Sequence, residues 1–207
     1  MTSTPPAAPV RSRPTVSLIP GIPRVHRHWS EEIATVCAVL LPLATLIIAI
    51  VLLWGVAFSW VYLAIMLGMY LLTAVGVTVG FHRLFTHRSF ETPAPIVATL
   101  GVLGSMAAEG SIIDWVAYHR RHHQHSDGHE DPHSPHNHGG GVKGVLKGFW
   151  HAHVGWFFQD HPVGMEKYAG DLRKNRLVVF LSKTFGLWVL LGMLIPAAVG
   201  GLVAWSW

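Results

Sequence analysis

Eight of the fifteen histidines fall between His119 and His138, in the stretch AYHRRHHQHSDGHEDPHSPHNHGG that covers residues 117–140. Neutral imidazole is the commonest protein metal ligand, so the first chemistry to weigh is metal binding. Within the stretch His119, His122 and His123 stand at i, i+3 and i+4. On a helix that spacing places them on one face, with Arg120 and Arg121 turned away, and three imidazoles on one face make a preformed half-site for a transition metal. A second pair, His82 and His87, lies in VGFHRLFTHRSF, where an apolar run gives way to basic residues. Five positions is not a same-face spacing on an α-helix, so the two rings converge on one ion only if the helix loosens in its last turn. Taken alone, the pair reads equally as two interfacial histidines at a helix end. His125, His129, His133, His136 and His138 sit among turn formers, Pro132, Pro135 and the glycines from Gly139 to Gly141, and read as solvated loop residues.

The elements that must position these side chains are apolar. A chain of 207 residues with 51% hydrophobic and 13% charged residues and a mean hydropathy of +0.40 lies outside the soluble range. Crossing about 30 Å of hydrocarbon takes about 20 apolar residues in a helix. Three stretches qualify: Ile33 to Leu53, Phe58 to Val79 and Leu177 to Trp207. A fourth, Pro95 to Ile113, is Gly-rich, carries Glu109, and reads as a partly buried or interfacial helix. The run SIIDWVAY brings Ile112, Ile113, Trp115 and Val116 to a helix that can pack against the spans. The expected architecture is an all-α integral membrane protein: about three transmembrane helices, an interfacial helix and a His-rich cytoplasmic region.

Charge sets the expected orientation. Residues 1–30 are rich in Pro, Ser and Arg and hold no acidic residue, and they read as a disordered basic cytoplasmic tail ahead of a membrane domain over 31–207. Arg11, Arg13, Arg24 and Arg27 precede the first span, and the next basic residue is Arg83. The first two spans then form a hairpin with an outer loop around Trp54 to Ala57, and the segment from Phe81 to Arg176 returns to the cytoplasmic face. The net charge of +4 and pI near 9.5 follow from this asymmetry and from anionic lipid, and call for no nucleic acid. The single cysteine, Cys37, lies in the first span and has no partner in the chain for a disulfide.

The segments GFHRLFTH, WVAYHRRHHQHSD, EDPHSP and HAHVGWFF, in that order and at these spacings, resemble the membrane-bound fatty acid desaturases, in particular the acyl-CoA Δ9 branch. The resemblance covers roughly Ile33 to Trp207. It implies a di-iron centre held almost wholly by histidine, which uses O2 to remove two hydrogens from an unactivated methylene pair. The implied substrate is a fatty acyl chain, with a CoA thioester as the expected carrier, and electrons come from a cytochrome b5 or ferredoxin-type donor. Carried over residue by residue, it implies iron ligation by His82 and His87 of the first box and by His119, His122 and His123 of the second. It implies no catalytic side chain beyond the metal ligands. Such a ligand set suits the chemistry, because neutral imidazoles leave the metal strongly electrophilic. The protein must also thread the acyl chain into a dry slot. Trp115 and Trp156 are candidate slot walls, and Tyr70, on the second span between Met66 and Ala74, is the candidate for closing its far end.

The family pattern also carries a third box of HxxHH type beyond a fourth span, and neither HNHGG nor HAHVGW has that spacing. The expectation is a desaturase-family chain that is incomplete as given and shows no desaturation by itself. Two readings from other classes stand beside it: a membrane metal-binding or transport protein whose loop holds zinc or nickel, and a non-catalytic partner of an intact desaturase. Transporters place ionisable ligands near the middle of their spans, and these spans hold no histidine there.

Overall fold

The protein is described by a computed structural model over residues 24–25, 28–53, 59–159, 161–162 and 164–205. The tail before Arg24 and the expected outer loop around Trp54 to Ala57 lie outside the described residues. The fold is all-α: beyond helices and turns, the described residues hold a two-residue antiparallel bridge between Arg24–Val25 and His161–Pro162.

Helix α1 (Trp29–Leu53) opens with Glu31 and Glu32, whose charges complement the helix N-terminus. Its leucines and isoleucines from Ile33 to Ile50 face outward, as lipid requires. Helix α2 (Trp60–Val75) starts at Ser59, whose hydroxyl accepts from the Val61 backbone N–H, and it runs on without a break into a π-helical segment, Gly76–Thr86. Helices long and apolar enough to cross a membrane cover Trp29–Val51, Trp60–Thr86 and Phe185–Val203. The second span is therefore longer than the expected Phe58 to Val79, because the histidine-bearing turn continues the same helix.

Helix α3 (Ala94–Met106) begins behind Pro93, with Pro95 in its first turn. Its 13 residues make about 20 Å, too short to cross. It packs instead on the π segment through glycines: a Cβ on Gly76 would lie 2.1 Å from the Gly104 backbone nitrogen, and one on Gly104 would lie 2.4 Å from the Phe81 ring. Small residues let two helix backbones approach this closely. The apolar stretch expected to run to Ile113 ends at Met106, because Ala108 (φ 61°) and Gly110 (φ 120°) turn the chain.

Helix α4 (Ile112–His125) restarts at Ser111, whose hydroxyl accepts from the Asp114 backbone N–H at 3.3 Å. It buries Ile112, Val116 and Ala117 on one face and offers histidines on another. Helix α5 (Gly141–His153) seats its glycine face on the histidine loop. A Cβ on Gly148 would come within 1.9 Å of the Pro135 carbonyl oxygen, and one on Gly144 within 2.1 Å of that of Gly139. Helix α6 (Arg176–Lys183) is capped by Asn175, whose side chain accepts from Leu177 and Val178, and it buries Val178 and Leu181. The chain then breaks at Thr184 before helix α7 (Phe185–Trp205). This corrects the third span, expected from Leu177: an amphipathic helix that completes the core precedes the crossing helix. That core unites Phe81, Phe85, Ile112, Val116, Leu172, Val178 and Leu181, and so clamps the π segment, α4 and α6 together beneath the histidines.

Candidate metal centre

Four imidazoles from two helices converge where the second span ends. His82 and His87 project from the π segment and its last turn, His119 and His123 from α4, and one ring nitrogen of each lies within 4.8 Å of the others. The spacing of five works because the local hydrogen bonds run i to i+5: the His87 N–H donates to the His82 carbonyl at 3.0 Å, and the Thr86 hydroxyl donates to the Phe81 carbonyl at 2.8 Å. On α4 the ordinary i, i+4 spacing brings His119 Nε2 to 3.0 Å from His123 Nε2. Across the helices, the His82 and His119 ring centroids lie 4.9 Å apart, and those of His87 and His123 lie 4.8 Å apart.

Burial lowers the His119 pKa to about 3, and the neighbouring His123, His82, His122 and His87 rings add to the effect. Burial lowers His123 too, with His87 the next contributor. These rings are therefore neutral at pH 7, with lone pairs free for a metal. The set contains no carboxylate. At Nε2 separations of 3.0 and 3.1 Å one ring of each pair can donate to the other, and four neutral imidazoles with no carboxylate among them are a donor set that suits a borderline transition metal.

The expected triplet on α4 is divided. His122 turns from His119 and His123 toward a second group, His122, Asp131 and His133. Its Nδ1 lies 3.0 Å from both carboxylate oxygens of Asp131, and its ring stacks on His133 with centroids 4.4 Å apart. The Asp131 side chain is fully buried and also accepts from the Asp127 and His133 backbone N–H groups at 3.0 and 3.1 Å. Burial pushes the Asp131 carboxyl up, but the bonds from His122 and the two backbone donors outweigh it and leave the pKa below the usual carboxylate range. An ionised Asp131 holds the His122 Nδ1–H and so presents Nε2, the usual way a carboxylate fixes a metal-ligating imidazole. Burial, and then His122, lower the His133 pKa.

Asp131 and His133 are the residues that spacing rules miss. Their signal is EDPHSP, in which Pro132 shapes a turn that returns Asp131 to α4. Of the other histidines expected in the loop, His125 instead ends α4 and meets the Tyr168 hydroxyl at 3.3 Å, His136 meets Asp127 at 3.3 Å, and His138 packs on the His151 ring.

A cavity of about 510 Å³ borders His119 and His133, with walls of Trp115, Tyr118, Trp156 and Phe157. Trp115 stacks on His119 with centroids 4.5 Å apart and donates its indole N–H to Glu109 at 3.0 Å. Thr35 of α1, Glu109, Asp114 and Gln159 also line the cavity. Tyr70 does not line this cavity; it lies on α2, 66% exposed.

A family model described as fatty acid desaturase matches residues 59–207. The chain is 40% identical over 169 residues to the hex-5-enoyl-[acyl-carrier protein] acetylenase of Moorena producens, covering 81% of this chain and 53% of that protein. It is 37% identical over 154 residues to the sn-1 stearoyl-lipid 9-desaturase of Anabaena variabilis, covering 72% and 53%. It is 34% identical over 155 residues to the acyl-CoA C20 Delta5-desaturase of Anemone leveillei, covering 72% and 46%. The chain thus spans about half the length of the curated relatives it matches. Histidines gathered at the end of a membrane span, beside an aromatic cavity and in a sequence of this likeness, identify the chain as a member of the fatty acid desaturase family.

Proposed function

We propose that this chain supplies the histidine centre of an O2-dependent fatty acid desaturase. The reaction converts –CH2–CH2– in an acyl chain, with O2, two electrons and two protons, into cis –CH=CH– and two molecules of water. The electrons come from a cytochrome b5 or ferredoxin-type donor. The observation that carries the reading is the convergence of His82, His87, His119 and His123 within 4.8 Å, a donor set that fits iron. In this reading those four side chains hold one iron, while His122, oriented by Asp131, serves the second together with His133. When bound, the iron pair supplies the oxidant for the unactivated C–H bond.

The chain's own residues do the rest. Trp115, Tyr118, Trp156 and Phe157 line a space beside His119 in which an aliphatic chain displaces water. The Trp115 ring, held by Glu109, braces His119 and sets where a bound chain passes it. We place residues 31–207 in one desaturase-like unit that crosses the membrane more than once, with the tail 1–30 and the histidines on the cytoplasmic side, following the positive charges.

The resemblance points to a CoA thioester, and one observation favours a different carrier. Among the described residues that line the cavity, Glu109 and Asp114 are acidic and none is Lys or Arg. A polyanionic CoA meets repulsion there, whereas an uncharged acyl lipid does not.

Metal analysis of the purified chain tests the reading. Iron should be retained, and alanine at His82, His87, His119 or His123 should lower it, whereas alanine at His136 or His138 should not. Zinc or nickel without iron, or equal loss from both sets, would replace the desaturase centre with a diffuse metal-binding loop. Stearoyl-CoA and stearoyl glycerolipid, added in turn, separate the carriers by their quenching of tryptophan fluorescence.

A further inference from the structure

Arg120 lies between two histidine ligands in sequence, yet its side chain points away from both. Its guanidinium makes five hydrogen bonds. It donates to the Thr86 carbonyl at 3.1 Å, the Phe85 carbonyl at 2.7 Å, the Tyr168 carbonyl at 2.8 Å, and the two Asp171 oxygens at 2.6 and 3.1 Å. Phe85 and Thr86 close the π segment, and carbonyls in the last turn of a helix lack partners within it. Asp171 is held in turn by Arg88, the residue after His87. Burial raises the Asp171 carboxyl, but the bonds from Arg120 and Arg88 outweigh it, so the group stays ionised. One planar fork therefore spans the helix that carries His119 and His123, the turn that carries His82 and His87, and the segment at Tyr168 to Asp171.

We propose that Arg120, braced by Asp171, is the positioning residue that sets the separation between the two halves of the four-histidine group. The proposal rests on the metal reading above and adds a cause for its geometry: core packing brings the helices together, and the fork fixes their offset and rotation. Guanidinium suits the task because its five donors lie in one plane, which an ammonium cannot reproduce.

The test uses Co(II), whose visible spectrum reports the number and arrangement of its nitrogen ligands, with the purified full chain in detergent. Arg120→Gln and Asp171→Asn should each weaken Co(II) binding by about tenfold or more and change the visible band. Arg120→Lys should recover part of the melting temperature without the wild-type band. Arg121→Gln is the control: Arg121 lies on the same helix and is 4% exposed, but it is tied to Glu130. It should lower the melting temperature and leave the band unchanged. Wild-type affinity and spectrum in Arg120→Gln, or the same spectral loss in Arg121→Gln, would overturn the proposal. If Arg120→Gln does not accumulate, Asp171→Asn decides on the same readouts. A wild-type chain that takes up no Co(II) would instead sink the metal reading on which the proposal stands.

Discussion

His82 and His87 meet edge to face with their Nε2 atoms 3.1 Å apart, although five positions separate them. On an α-helix, residues five apart diverge by about 140° and could not share an ion. The π segment reduces that divergence, because its i to i+5 hydrogen bonds wind the chain more widely and bring each residue near the fifth before it. The convergence of the two imidazoles is thus a property of backbone winding, and the winding is held by what packs against it.

Alanine at Gly76 or Gly104 should therefore loosen the centre from a distance. The added methyl meets α3 backbone or the Phe81 ring at well under contact distance. Such overpacking costs about 1–3 kcal/mol. A lower melting temperature accompanied by weaker metal retention is expected. Gly68→Ala, whose Cβ would meet nothing within 4 Å, should change neither.

Asp131→Asn should weaken metal binding at the second group by about 10- to 100-fold, because the amide no longer fixes the tautomer and orientation of His122. Calorimetric titration should show one class of site weakened and the four-histidine class unchanged. A titration identical to wild type would remove His122 from any metal site.

The metal-free chain should lose stability as the pH falls below about 6.5. His119 has a pKa near 3 in the folded protein against an ordinary imidazole value of 6.5, so the unfolded chain binds more protons between these values. Acidification across this window favours unfolding, and above it the contribution of His119 is constant. Melting temperatures measured from pH 8 to pH 4 should show the decline, and His119→Gln should flatten it.

Trp115→Ala should weaken acyl binding to the cavity and broaden chain-length preference, because the ring forms the wall beside His119. Tyr70→Ala, on the outer side of α2, should leave that preference unaltered. A shift with Tyr70→Ala and none with Trp115→Ala would move the acyl slot into the membrane face of α2.

Most of the framework could be read from apolar runs and histidine spacing. The spans follow from hydropathy, and the His119 and His123 pairing follows from i, i+4 geometry. What sequence rules missed arises from tertiary contact. The boundary at Thr184 escaped because Leu177 to Leu181 is as apolar as a span, and burial of Val178 and Leu181 in the core is what makes it a separate helix. The withdrawal of His122 and the recruitment of His133 depend on Asp131, whose neighbours in sequence suggest only a solvated loop. Arg120 read only as a residue turned away from the histidine face, since nothing local reveals that its partners lie 34 to 51 residues away.

The seating of α5 on the histidine loop has a consequence for how this region tolerates change. Gly144 and Gly148 lie on a helix whose Val142, Val145, Leu146, Phe149 and Trp150 are all exposed, so by neighbourhood they look like surface positions. Their missing side chains are what let the carbonyls of Gly139 and Pro135 rest on the helix backbone. In a saturation-mutagenesis map the two glycines should score like buried core, refusing even alanine, while the bulky residues around them accept exchange. Peptide carbonyls, in place of an apolar interior, would draw the boundary between the forbidden and the permissive sites.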